Sequence, residues 1–173
     1  MEKTKIPARS NMKISAKAAP YSRMEYDPDA TKSEIVASYT KTGDKYSVYL
    51  TLTGKALLHI KQDHSDSVKT LKTTLPDFKN DRELIEALFM IALTGYKKYF
   101  ADLNALEIGD SMGITIRVDP KYQGRNIFGQ KVEYFKIVLK KQANKEFSIC
   151  SAFPKEYPSK SRIIRDALRR RSD

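Results

Sequence analysis

The sequence predicts an α+β fold: short helices packed on one face of an antiparallel sheet of about four strands, with an extra N-terminal hairpin. Three observations lead there. Two β-rich runs separated by a turn signal occupy residues 35–52. A strongly apolar helix pattern covers residues 82–100, and an alternating, turn-punctuated texture returns after Gly109. Helices gathered between strand runs, instead of alternating with single strands, favour an antiparallel sheet covered on one side.

The elements follow in chain order. Residues 1–33 carry Lys3, Lys5, Arg9, Lys13, Lys17 and Arg23 with Pro7, Pro20 and Pro28, and no sustained apolar period. They read as a basic, flexible leader. Ile35 to Tyr39 and Tyr46 to Leu52 are β-branched and aromatic, joined across Lys41-Thr42-Gly43-Asp44 as a hairpin. Thr53 then caps a short helix from Gly54 to His64, with Leu57, Leu58 and Ile60 as its apolar side.

Asp81 is expected to cap the next helix, Arg82 to about Phe100, with Glu83 and Glu86 early and Lys97 and Lys98 late, as the helix dipole favours. Its apolar residues surround most of its circumference, which predicts a packing element without a chemical role. Strands are then expected at residues 113–118, at 125–128 and 131–141 around a Gly129-Gln130 turn, and at Glu146 to Phe153, closed by Pro154. Residues 34–158 thus form the domain, and residues 159–173 a basic C-terminal helix or tail.

The chain has 173 residues and a formal charge of +11, with 32 Lys and Arg against 21 Asp and Glu. Such a charge points to a polyanionic partner, nucleic acid first and an anionic membrane surface second. The excess is uneven. Residues 1–23 carry six basic groups to one acidic, and residues 160–173 six to two, leaving the middle close to neutral. The longest apolar run, Leu84 to Leu93, is interrupted by Glu86 and is about half the length of a membrane span. No 7–15-residue apolar stretch of a secretory signal opens the chain. With two His and one Cys, a four-ligand zinc site of those residues falls one short. Cys150 has no partner in the chain for a disulfide and sits in an expected strand, where a small buried hydrophobe is the simpler reading.

Nucleotide-binding glycine loops and the nucleophile elbow are missing from the sequence, which leaves the histidines. His59 and His64 share one helix, but a spacing of five places them about 140° apart, a poor arrangement for a shared metal. A histidine on a basic chain with a hydroxyl-rich sheet downstream holds the parts of a metal-independent ribonuclease. A base deprotonates the 2′-OH, an acid protonates the leaving 5′-oxygen, and cations and hydroxyls stabilise the charged phosphorane. No cofactor is needed.

The Leu-Leu-His-Ile-Lys helix with its following His64, the helical middle and the closing Phe-Ser-Ile-Cys-Ser-Ala-Phe-Pro resemble a family of bacterial toxin ribonuclease domains. These are grouped as the barnase–EndoU–colicin E5/D–RelE-like fold and include C-terminal domains of contact-dependent inhibition toxins. The resemblance covers roughly residues 50–155. It implies an endonuclease acting on RNA, tRNA included, in the cytoplasm, delivered as part of a larger toxin and held in check by an acidic immunity protein or antitoxin. It places the catalytic histidine on His59, with His64 as second candidate, and the hydroxyl of the closing motif on Ser151. Where that motif usually has Tyr, this chain has Phe153, and Tyr134 or Tyr157 is the candidate substitute. Lys136, as a catalytic cation, and Arg117 are expected near phosphate, with Lys61, Tyr134, Arg169 and Arg170 as further substrate contacts. Two readings from other classes compete: a non-catalytic nucleic-acid-binding or phage-type regulatory protein that uses the basic termini, and an interaction protein whose basic tail engages an acidic surface.

Overall fold

A computed structural model describes residues 20–63 and 73–166. Seven strands form one sheet: β1 (Tyr21–Tyr26), β2 (Ile35–Thr42), β3 (Val48–Thr53), β4 (Ser111–Arg117), β5 (Tyr134–Ala143), β6 (Glu146–Lys155) and β7 (Arg162–Ile164). Among the described residues the helices are α1 (Gly54–Asp63), α2 (Asp81–Lys98) and α3 (Phe100–Ala105), with a single 3-10 turn at Pro120–Tyr122. The strand order is β1-β2-β3-β6-β5-β4-β7. Every neighbouring pair is antiparallel except β3 and β6, which run parallel through Tyr49–Glu146, Leu50–Phe147 and Thr51–Ser148.

The four-stranded antiparallel sheet expected from the sequence is therefore not what forms; the sheet has seven strands and is mixed. The expected N-terminal hairpin does form, as β2 and β3 about the positive-φ Gly43, but it is no appendage. Its second strand docks edge-on against β6 and fuses hairpin and meander into one sheet. The region read as leader supplies an edge strand, β1, whose half-exposed side chains gave no apolar alternation to read. The region read as a basic C-terminal helix or tail supplies the other edge. Arg162–Ile164 pairs with β4, and Asp110, fully buried, fastens the chain just beyond by accepting hydrogen bonds from Arg165 Nη1 and the Asp166 amide, both at 2.9 Å. Residues 125–128, expected as a strand, form a loop instead. The Asn126 carboxamide oxygen accepts from the Phe128 and Gln130 amides at 3.0 Å, an Asx-type closure that competes with extended pairing.

Helix ends explain themselves locally. Thr53 caps α1, its hydroxyl accepting from the Ala56 amide at 3.2 Å. The cap of α2 is Asn80, one residue before the expected Asp81. Its side chain accepts from the Glu83 amide, while the Glu83 carboxylate reaches back to the Lys79 amide just before the cap. Asp81 is left free to pair with Lys61.

The core lies between α2 and one face of the sheet. Leu84, Ile85, Leu88, Phe89, Ile91, Ala92 and Tyr96 of α2 are buried against strand residues that include Ile114, Ile137 and Phe147. Phe89 stacks on Tyr39 with ring centroids 6.0 Å apart, and Tyr96 meets Phe147 at 5.6 Å. Burying each large side chain contributes about 1.5–3 kcal/mol. Gly95 lets α2 approach closely, since a Cβ there would lie 2.6 Å from Ile114 Cδ1. The register assigns the opposite face, which the core helices leave uncovered, to Ser151, Phe153 and Lys155 of β6; to Tyr134, Lys136 and Lys140 of β5; and to Gly113, Thr115 and Arg117 of β4.

Candidate active site

β3 stops at Thr53 and turns at once into α1, whereas β6 runs on to Lys155. The second half of β6 therefore has no strand on its β3 side, and α1 lies against it instead. Pro154 fits here because its missing N–H is needed by no ladder. Its carbonyl accepts a hydrogen bond from the Thr73 hydroxyl. Between these elements opens a cleft of about 520 Å³.

α1 contributes His59 and Asp63 to the cleft, β6 and the residue after it contribute Ser151, Phe153, Lys155 and Glu156, and the loop before β5 contributes Ile127 and Phe128. His59 is about half exposed, and its Nδ1 lies 3.3 Å from Asp63 Oδ2 one helical turn later. A proton on Nδ1 would face this carboxylate, and Nε2 is the ring nitrogen outside the contact.

Ser151 reaches this position through a break in the strand. Val138 pairs with Ser151 and Leu139 with Ile149, so Cys150 is an extra residue in β6. In a regular strand Ile149 and Ser151 would share a face. The bulge instead keeps Ile149 and Ala152 in the core and turns Ser151 to the other side. Cys150 itself is no nucleophile candidate: burial pushes its thiol pKa up, outweighing the lowering influence of the Ser148 side chain and of Lys140.

The far wall is held by steric fit at Gly124. A Cβ there would lie 2.2 Å from the Thr74 carbonyl oxygen and 2.3 Å from Pro154 Cγ. Thr74 and Arg125 exchange both backbone hydrogen bonds beside it, at 2.8 and 3.0 Å. Phe128 projects from this wall with 79% of its surface exposed, an apolar ring beside a polar floor.

The structure thus brings two of the sequence-predicted residues, His59 and Ser151, to one cleft. Others lie elsewhere. Lys61 turns away from His59 and pairs with Asp81 at 2.9 Å. Arg117 pairs with Glu133 at 3.0 Å, two strands from the cleft. Lys136 and Tyr134 are on β5, cross-strand from Phe153 and Lys155, and do not line the cleft; Tyr157 is exposed. His64, Arg169 and Arg170 lie outside the described residues. Sequence reasoning missed Asp63, although its i+4 spacing from His59 was readable. It also missed Phe128, taken for a strand residue, and Lys155 beyond the expected strand end.

Among the described residues, no three of His, Cys, Asp and Glu are grouped as a metal site, and no helix is long and apolar enough to cross a membrane. No protein-family model matches the chain, and no curated protein or solved structure matches it either.

Proposed function

We propose that this protein is an endoribonuclease that cleaves RNA by attack of the 2′-OH on the adjacent phosphorus, using side chains alone. The observation that carries the reading is the shared cleft. A histidine oriented by a carboxylate faces the same space as a hydroxyl, an ammonium and an exposed aromatic ring.

Each part has a task in this chemistry. His59 Nε2 takes the proton of the 2′-OH as the O2′–P bond forms, and Asp63 steadies the imidazolium that results. That imidazolium returns the proton to the 5′-oxygen as the P–O5′ bond breaks, leaving a 2′,3′-cyclic phosphate and a 5′-OH. The Ser151 hydroxyl donates to a non-bridging oxygen of the phosphorane, and Lys155 offsets its charge. Thr73 has already committed its proton to the Pro154 carbonyl, so it positions the wall and donates nothing to substrate. Phe128 offers a base a face to stack on.

The test is incubation of purified protein with several RNA classes, tRNA included, in the presence of EDTA. Cleavage with cyclic phosphate ends is expected, DNA is left intact, and His59→Ala reduces the rate at least about a hundredfold. Intact RNA after long incubation with folded protein overturns the reading.

A further inference from the structure

We propose that Lys155, Lys136 and Arg162 form a track for the sugar–phosphate backbone of single-stranded RNA, leading from the cleft across the face of the sheet opposite the helices. This inference rests on the ribonuclease reading and extends it, since it makes the substrate a polymer gripped beyond the bond that is cut.

Register puts the three cations in line. Lys136 is directly opposite Phe153, so Lys155, two residues on, is its diagonal neighbour on the same face. On the other side Lys136 is opposite Thr115, and its diagonal neighbour there is Gly113. Gly113 in turn pairs with Arg162 of β7. Position 113, which carries no side chain, puts none between the lysine and the arginine. The Lys136 stem occupies the gap, with Cε 3.2 Å from where a Cβ of residue 113 would be. The row thus crosses four strands, from β6 at the cleft through β5 and the bare position on β4 to β7.

Among the described residues, the three cations also lack counter-charges. None of them is in a salt bridge among the described residues, whereas Arg117, on the same face, is paired with Glu133. The cost of this crowding is visible at Lys136. Its ammonium has a lowered pKa, first because it is partly desolvated and then because Lys155 and Arg162 repel it. A fold selected for stability alone would separate these groups or interleave a carboxylate. The segment that carries Arg162 is meanwhile held in place: Ser159 and Thr115 share a hydroxyl–hydroxyl hydrogen bond of 2.9 Å, and Asp110 clamps Arg165. A line of cations with no ion pair among the described residues, starting at Lys155 of the cleft, matches a phosphodiester backbone entering or leaving that cleft.

The experiment measures binding of a fluorescent single-stranded oligodeoxynucleotide to the full chain at a series of salt concentrations. Lacking a 2′-OH, the probe binds without being cut. Arg162→Gln and Lys136→Gln are each expected to lower the magnitude of the slope of log K against log salt by about 0.7, one phosphate contact on a single strand. Affinity at low salt falls severalfold with each, and the double variant combines the losses. Arg82→Gln, on the surface of α2 and paired with Glu86, is the charge-matched control and keeps the wild-type slope. Circular dichroism confirms that each variant is folded. Slopes that are the same in wild type and both row variants overturn the track. So does a row-dependent affinity for anionic lipid vesicles with none for the oligonucleotide. RNA cleavage is followed in parallel with His59→Ala. Cleavage that survives this substitution defeats the cleft chemistry whatever the slopes show, whereas cleavage lost with slopes unmoved defeats the track alone.

Discussion

Nδ1 of His59 lies 3.3 Å from Oδ2 of Asp63, and both side chains face the cleft. The pair is one helical turn long and part-exposed, so its contribution to stability is small. Its value is orientation. Asp63→Asn keeps the size and removes the charge, and it is expected to lower kcat roughly tenfold while KM stays within twofold. An unchanged kcat would show that the contact is incidental.

Phe128 tests whether the cleft holds a base. A side chain that is 79% exposed supports little of the fold, so Phe128→Ala should leave the melting temperature nearly unmoved. If the ring stacks on a base, the lost contact amounts to about 1–3 kcal/mol, read as a rise in KM for oligonucleotide substrates of roughly 5- to 160-fold. A KM equal to wild type removes Phe128 from the site.

Gly124 tests the far wall. Alanine there meets a backbone carbonyl and a proline ring, neither of which can swing away. Gly124→Ala is expected to destabilise the protein by about 1–3 kcal/mol and to depress kcat/KM more than the melting shift accounts for, since the Thr73–Thr74 segment must move. An unshifted melting curve would mean the wall is looser than its geometry.

Alkaline stability reports on Lys136. Its folded pKa is lowered while that of the unfolded chain stays near 10.5, so in between the unfolded state binds more protons. The penalty is fully present below the folded value and is relieved as pH rises toward 10.5. Denaturation of wild type and Lys136→Met at several alkaline pH values should show the variant's advantage shrinking as pH increases. Taking the difference removes the opposite effect of Tyr49 and Tyr96, whose burial raises their pKa values and which destabilise the fold in the same range. An advantage that does not change with pH contradicts the crowding of the row.

The elements with local signatures were legible in the sequence. The β2–β3 hairpin, the capped α1 and the all-round apolar α2 follow from residues near one another in the chain. The joining of β3 to β6 was not legible, because a parallel pairing between distant segments leaves no periodic trace in either. The edge strands escaped for the reason that they are edges: Tyr21–Tyr26 and Arg162–Ile164 bury too little to be patterned. At the site, His59 and Ser151 were readable as residue types, but the reason Ser151 is presented lies in the bulge at Cys150, which surfaces in the sequence only as a broken alternation. Charge was misjudged by averaging. The middle of the chain is nearly neutral in total, yet strand alternation sorts Lys136, Lys140 and Lys155 to a single face.

The parallel seam has a consequence for how the protein assembles. Strands β1 to β3 form one meander of near neighbours in the chain, and β4 to β6 form another; each can organise from local contacts at modest entropic cost. Tyr49 and Glu146 meet only after the whole intervening chain has closed on itself, so the β3–β6 pairing is expected to form late and slowly. The cleft opens where that seam ends. A molecule with both meanders formed but the seam unzipped would retain most of its secondary structure and have no site, so activity should return after secondary structure does in a refolding time course.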